Sequence, residues 1–194
     1  MAEDPVLDES VVDATTVLVL AGGRDTAADR VCIDLLQRDD GGSPLLFATL
    51  THPPASRIGL WDEYADADRP AGTIVVAVGP AGQGTSEGPE GVTVEHVSDP
   101  SNLTRFGVTM VEALKELKGQ QPAVCVHSLS ALLQYADVEQ VFQFVSVLHN
   151  HFEEAGATAH VHMDPDAHDD RTLITLEQLF DAVVEVTDGD VTVR

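Results

Sequence analysis

Apolar residues in this chain fall into short runs separated by segments of helix length. Thr15 to Ala21, Pro44 to Leu50 and Gly72 to Gly79 are rich in β-branched and aliphatic residues and too short for helices, as expected of strands covered on both faces. Val92 to Val97 alternates and reads as a fourth, half-exposed strand. Ala123 to His127 and Thr158 to Met163 are two further apolar runs, each ending in polar residues.

The intervening segments carry helical spacing. Ala28, Val31, Cys32 and Leu35 predict a helix from Asp25 to about Arg38, stopped by Asp39-Asp40-Gly41-Gly42. Ile58, Leu60, Trp61 and Tyr64 predict a second, with Trp61 and Tyr64 as packing residues. Leu103, Phe106, Met110, Val111, Leu114 and Leu117 predict a third, with Asp99 or Ser101 as its cap and Gly119 as its end. Asp137 opens a long helix bearing Val141, Phe142, Phe144, Val145, Leu148 and Phe152 as core, and Gly156 closes it. A last helix over 169–180 carries Leu173, Leu176, Leu179 and Phe180. Asp188-Gly189 between two apolar runs is a hairpin signal.

Strands alternating with helices imply right-handed crossovers and a mainly parallel sheet with helices on both faces, here ending in an antiparallel hairpin. Residues 1–14 read as a flexible acidic lead-in and 15–194 as a single α/β domain of three layers. Residues 80–91, rich in Gly and Pro, read as a surface loop. In such a sheet the ends of the strands share one edge, where ligands bind.

Charge changes the picture of partners. The chain has 194 residues, Lys+Arg 10 against Asp+Glu 33, and a formal net charge of −23. This disfavours direct nucleic-acid contact and anionic membrane surfaces. No apolar run has the length of a membrane span, and the acidic N-terminus lacks a secretory pattern, so the expectation is a cytoplasmic protein. The acid is spread along the chain among well-formed apolar segments, which reads as adaptation to a salt-rich, halophilic cytoplasm. Cys32 and Cys125, far apart and each in an apolar context, read as small buried residues.

The stretch VCVHSLSALLQYADVEQVFQFVSVLHNHFEEAG, followed by a strand, a DP-rich loop and TLEQLFDAVVEV, resembles the RecA/KaiC-like branch of the P-loop ATPases, in particular its uncharacterised haloarchaeal relatives. By order of elements the resemblance spans residues 15–194, and its specific part is about 122–187. It implies a RecA-like fold, with Ala123–His127 as the Walker B strand, and assembly through the RecA-like domains. The family's Gly-x-x-x-x-Gly-Lys-Ser/Thr loop cradles phosphate and Mg²⁺. This chain has Ala21-Gly22-Gly23-Arg24-Asp25-Thr26-Ala27-Ala28-Asp29-Arg30 there, with Asp25 and Asp29 where phosphate would sit. The family's metal-holding Asp is His127, and Thr51-His52-Pro53-Pro54 stands where an acidic pair is common.

Losing these groups removes the electrostatic stabilisation that phosphoryl transfer needs. The expectation is a pseudo-ATPase: not an enzyme, with no required cofactor, acting on a protein partner or as a homo-oligomer. One alternative is a divergent nucleotide sensor that keeps a degenerate site at Gly22, Gly23, His127 and Ser128. Another is a metal-dependent enzyme, since His160 and His162 share a strand face and, with Asp164, could hold Zn²⁺ or Mn²⁺; His127, Asp166, His168 and Asp169 are expected near the same edge. Helical His149 and His151 face differently and do not chelate together. Ser128 and Ser130 lack the setting of a nucleophile: no Gly-x-Ser-x-Gly is present.

The acidic surface predicts salt-dependent folding: the unfolding midpoint rises between about 0.1 M and about 2 M KCl as repulsion is screened. An unchanged midpoint in chemical denaturation across that range contradicts it.

Overall fold

The structure, a computed structural model, describes residues 11, 13–23, 26–38, 42–79 and 88–194. An eight-stranded sheet runs in the order β4-β3-β2-β5-β6-β1-β7-β8. Its strands are β1 (Thr16–Ala21), β2 (Leu45–Thr49), β3 (Thr73–Val78), β4 (Val92–Val97), β5 (Ala123–His127), β6 (Thr158–Met163), β7 (Ala182–Thr187) and β8 (Asp190–Val193). All neighbours are parallel except β7 and β8, which form the expected hairpin. Asp188 and Gly189 both take positive φ in its turn, 52° and 88°, the geometry for which an Asp-Gly pair is suited.

Six α-helices accompany the sheet among the described residues: α1 (Thr26–Leu36), α2 (Pro54–Tyr64), α3 (Leu103–Glu116), α4 (Leu129–Leu132), α5 (Val138–Ala155) and α6 (Asp170–Glu177). The segment after β5 holds the short α4 ahead of the long helix that Asp137 opens. A 3₁₀ turn at Pro165–Ala167 precedes α6, which is shorter than its sequence pattern implies.

Alternation along the strands assigns the layers. Leu18, Leu46, Val76, Val124, Val126 and Val161 face α3, α5 and α6 in the largest cluster, with Phe106, Leu148, Phe152 and Leu176. Phe47, Val75, Ala123 and Cys125 face the other way, onto Cys32, Ile33 and Leu36 of α1 and Ile58 and Trp61 of α2. Trp61 is 1% exposed and donates its indole N–H to the Ala67 carbonyl, so it is core and not an interface residue.

Capping chemistry sets the ends. Asp137 and Gln140 form a reciprocal capping box on α5, and Gly156 ends it in the left-handed region at φ 64°, where a Cβ would be strained. The cap of α3 is Asn102, whose side chain accepts from the Arg105 amide. Asp99 does not cap it because its carboxylate accepts from the Ser101 amide and hydroxyl in the preceding turn. The lead-in is partly anchored. Val11 and Ala14 are buried, and the Arg38 guanidinium donates to both of their carbonyls. The rest of the acidic lead-in, except Asp13, lies outside the described residues, as do 80–87 of the expected loop.

His149 of α5 rests against Phe152 and Phe180, with ring centroids 6.0 and 4.9 Å away. Burial lowers its pKa, opposed by a hydrogen bond to the Leu179 backbone. A buried neutral imidazole contributes stability fully above the unfolded-state value of about 6.5, and that contribution is lost as pH falls below it. His149→Phe should make the acid side of the stability–pH curve shallower, by up to about one bound proton. An identical slope in urea titrations from pH 7 down to pH 5 contradicts this.

Candidate functional site

Parallel β1, β2, β5 and β6 end on one edge of the sheet, and a cavity of about 850 Å³ opens there. Gly22 and Gly23 line it after β1, with Thr26 and Asp29 of α1. Thr51 and His52 follow β2, His127 and Ser128 close β5, and His162, Asp164 and His168 come from β6 and the turn beyond. All four residues expected to form a degenerate nucleotide site thus border one cavity. Asp25 of the loop lies outside the described residues.

The Gly22-Gly23 turn meets acid. A Cβ built on Gly23 would lie 3.7 Å from the Asp164 Oδ2, while Gly22 has nothing within 4 Å. Asp164 is fixed by short-range bonds. Its Oδ1 accepts from the Asp166 amide at 3.0 Å, and its own amide donates to Ser130 Oγ at 2.9 Å. Ser130 Oγ is also 2.9 Å from His168 Nε2, and Ser128 Oγ caps α4 by accepting from the Ala131 amide. These serines hold the edge together.

Arg57 is the one cation lining the cavity among the described residues. It is 3% exposed, and its guanidinium pairs with Asp29 at 3.1 Å. Burial opposes its charge, but the thiols of Cys32 and Cys125 and the Asp29 carboxylate together hold its pKa above the ordinary value. A phosphate entering here would find Arg57 already engaged.

Histidines fill the remaining wall. His127 lies between His52, at 5.2 Å between ring centroids, and His162, at 4.9 Å. Burial, then the His162 ring and Arg57, push the His127 imidazole down to about 2, so the ring is neutral. Its Nδ1 is buried without a hydrogen-bond partner. Burial and Arg57 also lower His52. A neutral imidazole cannot replace the carboxylate that would hold Mg²⁺, a cation that prefers oxygen.

His160 and His162 share a face, as their spacing requires; His160 lies in the layer beneath the cavity, and His162 borders both that layer and the cavity. The group of ligating atoms in mutual reach there is Cys32, Cys125, His160 and His162; Asp164 is not in it. Burial lowers the His160 pKa against the opposing influence of Cys32. The hydrogen bond with Cys125 lowers the Cys32 thiol, while burial raises Cys125. Sequence reading missed the two cysteines as members of this group. The available signal was strand register: Cys125 pairs with His160.

The Arg57–Asp29 pair has an asymmetric energetics. Asp29→Asn leaves a buried guanidinium short of its counter-charge and should cost about 1–3 kcal/mol, whereas Arg57→Met removes the buried charge and keeps its stem, for a change within about 1 kcal/mol. Urea unfolding of both variants checks this; a larger loss for Arg57→Met contradicts it.

Comparison with known proteins locates the fold. The chain is similar to three proteins of Pyrococcus horikoshii. PH0250 has 16% identity and a TM-score of 0.63 over 92% of this chain and 85% of its own. The KaiC-like protein PH0186 has 16% identity and a TM-score of 0.56 over 93% and 78%. PH0321, solved in complex with an unknown peptide, has 14% identity and a TM-score of 0.56 over 92% and 81%. No curated protein matches the sequence. At these identities the likeness is one of fold, and that fold is the RecA-like α/β architecture expected from the sequence. Residues 14–186 match the family of unknown function DUF7504, and the chain belongs to that family.

Proposed function

We propose that this protein is a non-hydrolysing RecA/KaiC-like module that works through protein contacts, as a regulatory or scaffolding component of a salt-rich cytoplasm. One observation carries the reading. The edge that would bind and cleave a nucleoside triphosphate has its glycine turn faced by the Asp164 carboxylate, Arg57, the one lining cation among the described residues, buried against Asp29, and neutral His127 at the end of β5. Phosphoryl transfer depends on positive charge at the phosphates and on a carboxylate-held metal. The sign of the charge is wrong at one place, and the ligand type at the other.

Protein contact draws support from the helices α3 and α5, away from the cavity lining. A groove of about 590 Å³ runs between α3 and α5, lined by Gly107, Val111, Phe144 and Leu148. Val108 and Val147 on it are 44% and 56% exposed. PH0321, a fold neighbour, is in complex with a peptide. Partners with low negative charge suit a chain of net charge −23. No helix among the described residues is long and apolar enough to cross a membrane.

A second reading, a nucleotide sensor without turnover, is favoured by the size of the cavity and the open space at Gly22. The two separate in one experiment. In high KCl, phosphate release from ATP-Mg²⁺ should match that of a His127→Ala control, and the melting temperature should not move. Turnover above the control sinks the pseudo-ATPase reading. A melting-temperature rise without turnover favours the sensor, since ligand at about a hundred times its dissociation constant stabilises by about 2.7 kcal/mol.

A further inference from the structure

Beneath the cavity, between the sheet and α1, four residues meet, of which His162 also borders the cavity. Cys32 comes from the middle of α1, Cys125 from β5, and His160 and His162 from β6. Their ligating atoms all lie within 4.8 Å of one another. Parallel register sets Cys125 beside His160, and strand alternation puts His162 on the same face. Packing of α1 over that face delivers Cys32. Cys32 Sγ is 3.5 Å from Cys125 Sγ and 3.2 Å from His160 Nε2.

Burial is nearly complete: both cysteines are at 0%, His160 at 1% and His162 at 5% exposure. Ordinary core packing with a thiol–imidazole hydrogen bond accounts for Cys32, Cys125 and His160. It does not account for His162, whose Nε2 is buried with no hydrogen-bond partner. Leaving such an atom unsatisfied opposes folding, and a ligand that takes its lone pair removes the cost.

We propose that Cys32, Cys125, His160 and His162 bind one tetrahedrally coordinated transition-metal ion, with Zn²⁺ the best chemical match. Two thiolates and two imidazoles are a common structural zinc set, and hard cations such as Mg²⁺ and Ca²⁺ prefer oxygen. Zinc sits about 2.3 Å from sulfur and about 2.0–2.1 Å from imidazole nitrogen, which places the ligands of a tetrahedron about 3.3–3.8 Å apart. Two of the separations are 3.2 and 3.5 Å and all lie within 4.8 Å, so the widest pair would close by up to about 1 Å to meet that geometry.

Binding balances as two thiol protons released for one divalent ion, leaving a site of no net charge in the interior. With four protein ligands no position is left for water or substrate, so the site is structural. It would pin α1, which follows the Gly22-Gly23 turn, onto β5 and β6. The proposal is independent of whether the cavity above holds a nucleotide.

The test uses the whole chain, kept reduced and stripped with a chelator, then titrated with Co²⁺. The expected result is sulfur-to-cobalt charge-transfer absorption with the intense visible bands of tetrahedral cobalt, saturating at one ion per chain and erased by Zn²⁺. Cys125→Ser and His162→Asn should each weaken binding by about 100-fold or more, with circular dichroism reporting whether they fold. If either variant unfolds, the wild-type spectrum decides alone, because the charge-transfer band requires thiolate ligation. Octahedral cobalt spectra, no uptake by the reduced wild type, or loss of binding in Asp164→Asn with retention in Cys125→Ser would overturn the proposal.

Discussion

The register of β5 against β6 is the constraint on which the rest depends. His127 pairs with His162 and Cys125 with His160 across it, so one alignment creates both the histidine wall of the cavity and the thiol–imidazole group beneath. A slip of a single residue would exchange the two faces of β6. Val161 and Met163 would then turn away from the cluster they share with Phe152 and Leu148, and two histidines would enter that apolar layer. Burial of Val161 and Met163 thus enforces the placement of the polar residues. The same burial drives His127 and His160 toward their neutral forms.

Around this alignment the fold has the RecA-like arrangement, and its sheet edge carries acid and neutral histidine. Parallel strands still deliver a glycine turn, a helix start and two strand ends to one cavity. What they deliver is a carboxylate against the turn, a paired arginine and uncharged imidazoles. The polar side chains at the edge spend themselves on each other: Ser130 on Asp164 and His168, Ser128 on the α4 amide, Arg57 on Asp29. His127 Nδ1 and His162 Nε2 are left over, both buried with no hydrogen-bond partner.

Most of the fold was legible because local signals agreed. Short β-branched runs became strands, the Asp137 and Gly156 signals bound α5, and Asp188-Gly189 turned the hairpin. The cap of α3 was misassigned because two candidate side chains compete there, and Asp99 satisfies Ser101 first. The gathering of Gly22, Gly23, His127 and Ser128 followed from strand ends sharing an edge. The pairing of Cys32 with Cys125 and His160 did not, since 93 and 128 residues separate them in the chain. No periodicity encodes which helix covers which strand. That information lies in the packing of Ile33 and Leu36 against Phe47 and Trp61, which only the assembled layers reveal.

The central proposal is that this chain binds a metal ion in its thiol–imidazole interior and no nucleotide at its sheet edge. Native mass spectrometry of the intact protein, purified in high salt and exchanged into volatile buffer, reads both places at once. The account predicts the mass of the chain with one zinc ion and without nucleotide. A chain carrying nucleotide and magnesium, with no zinc, would contradict it.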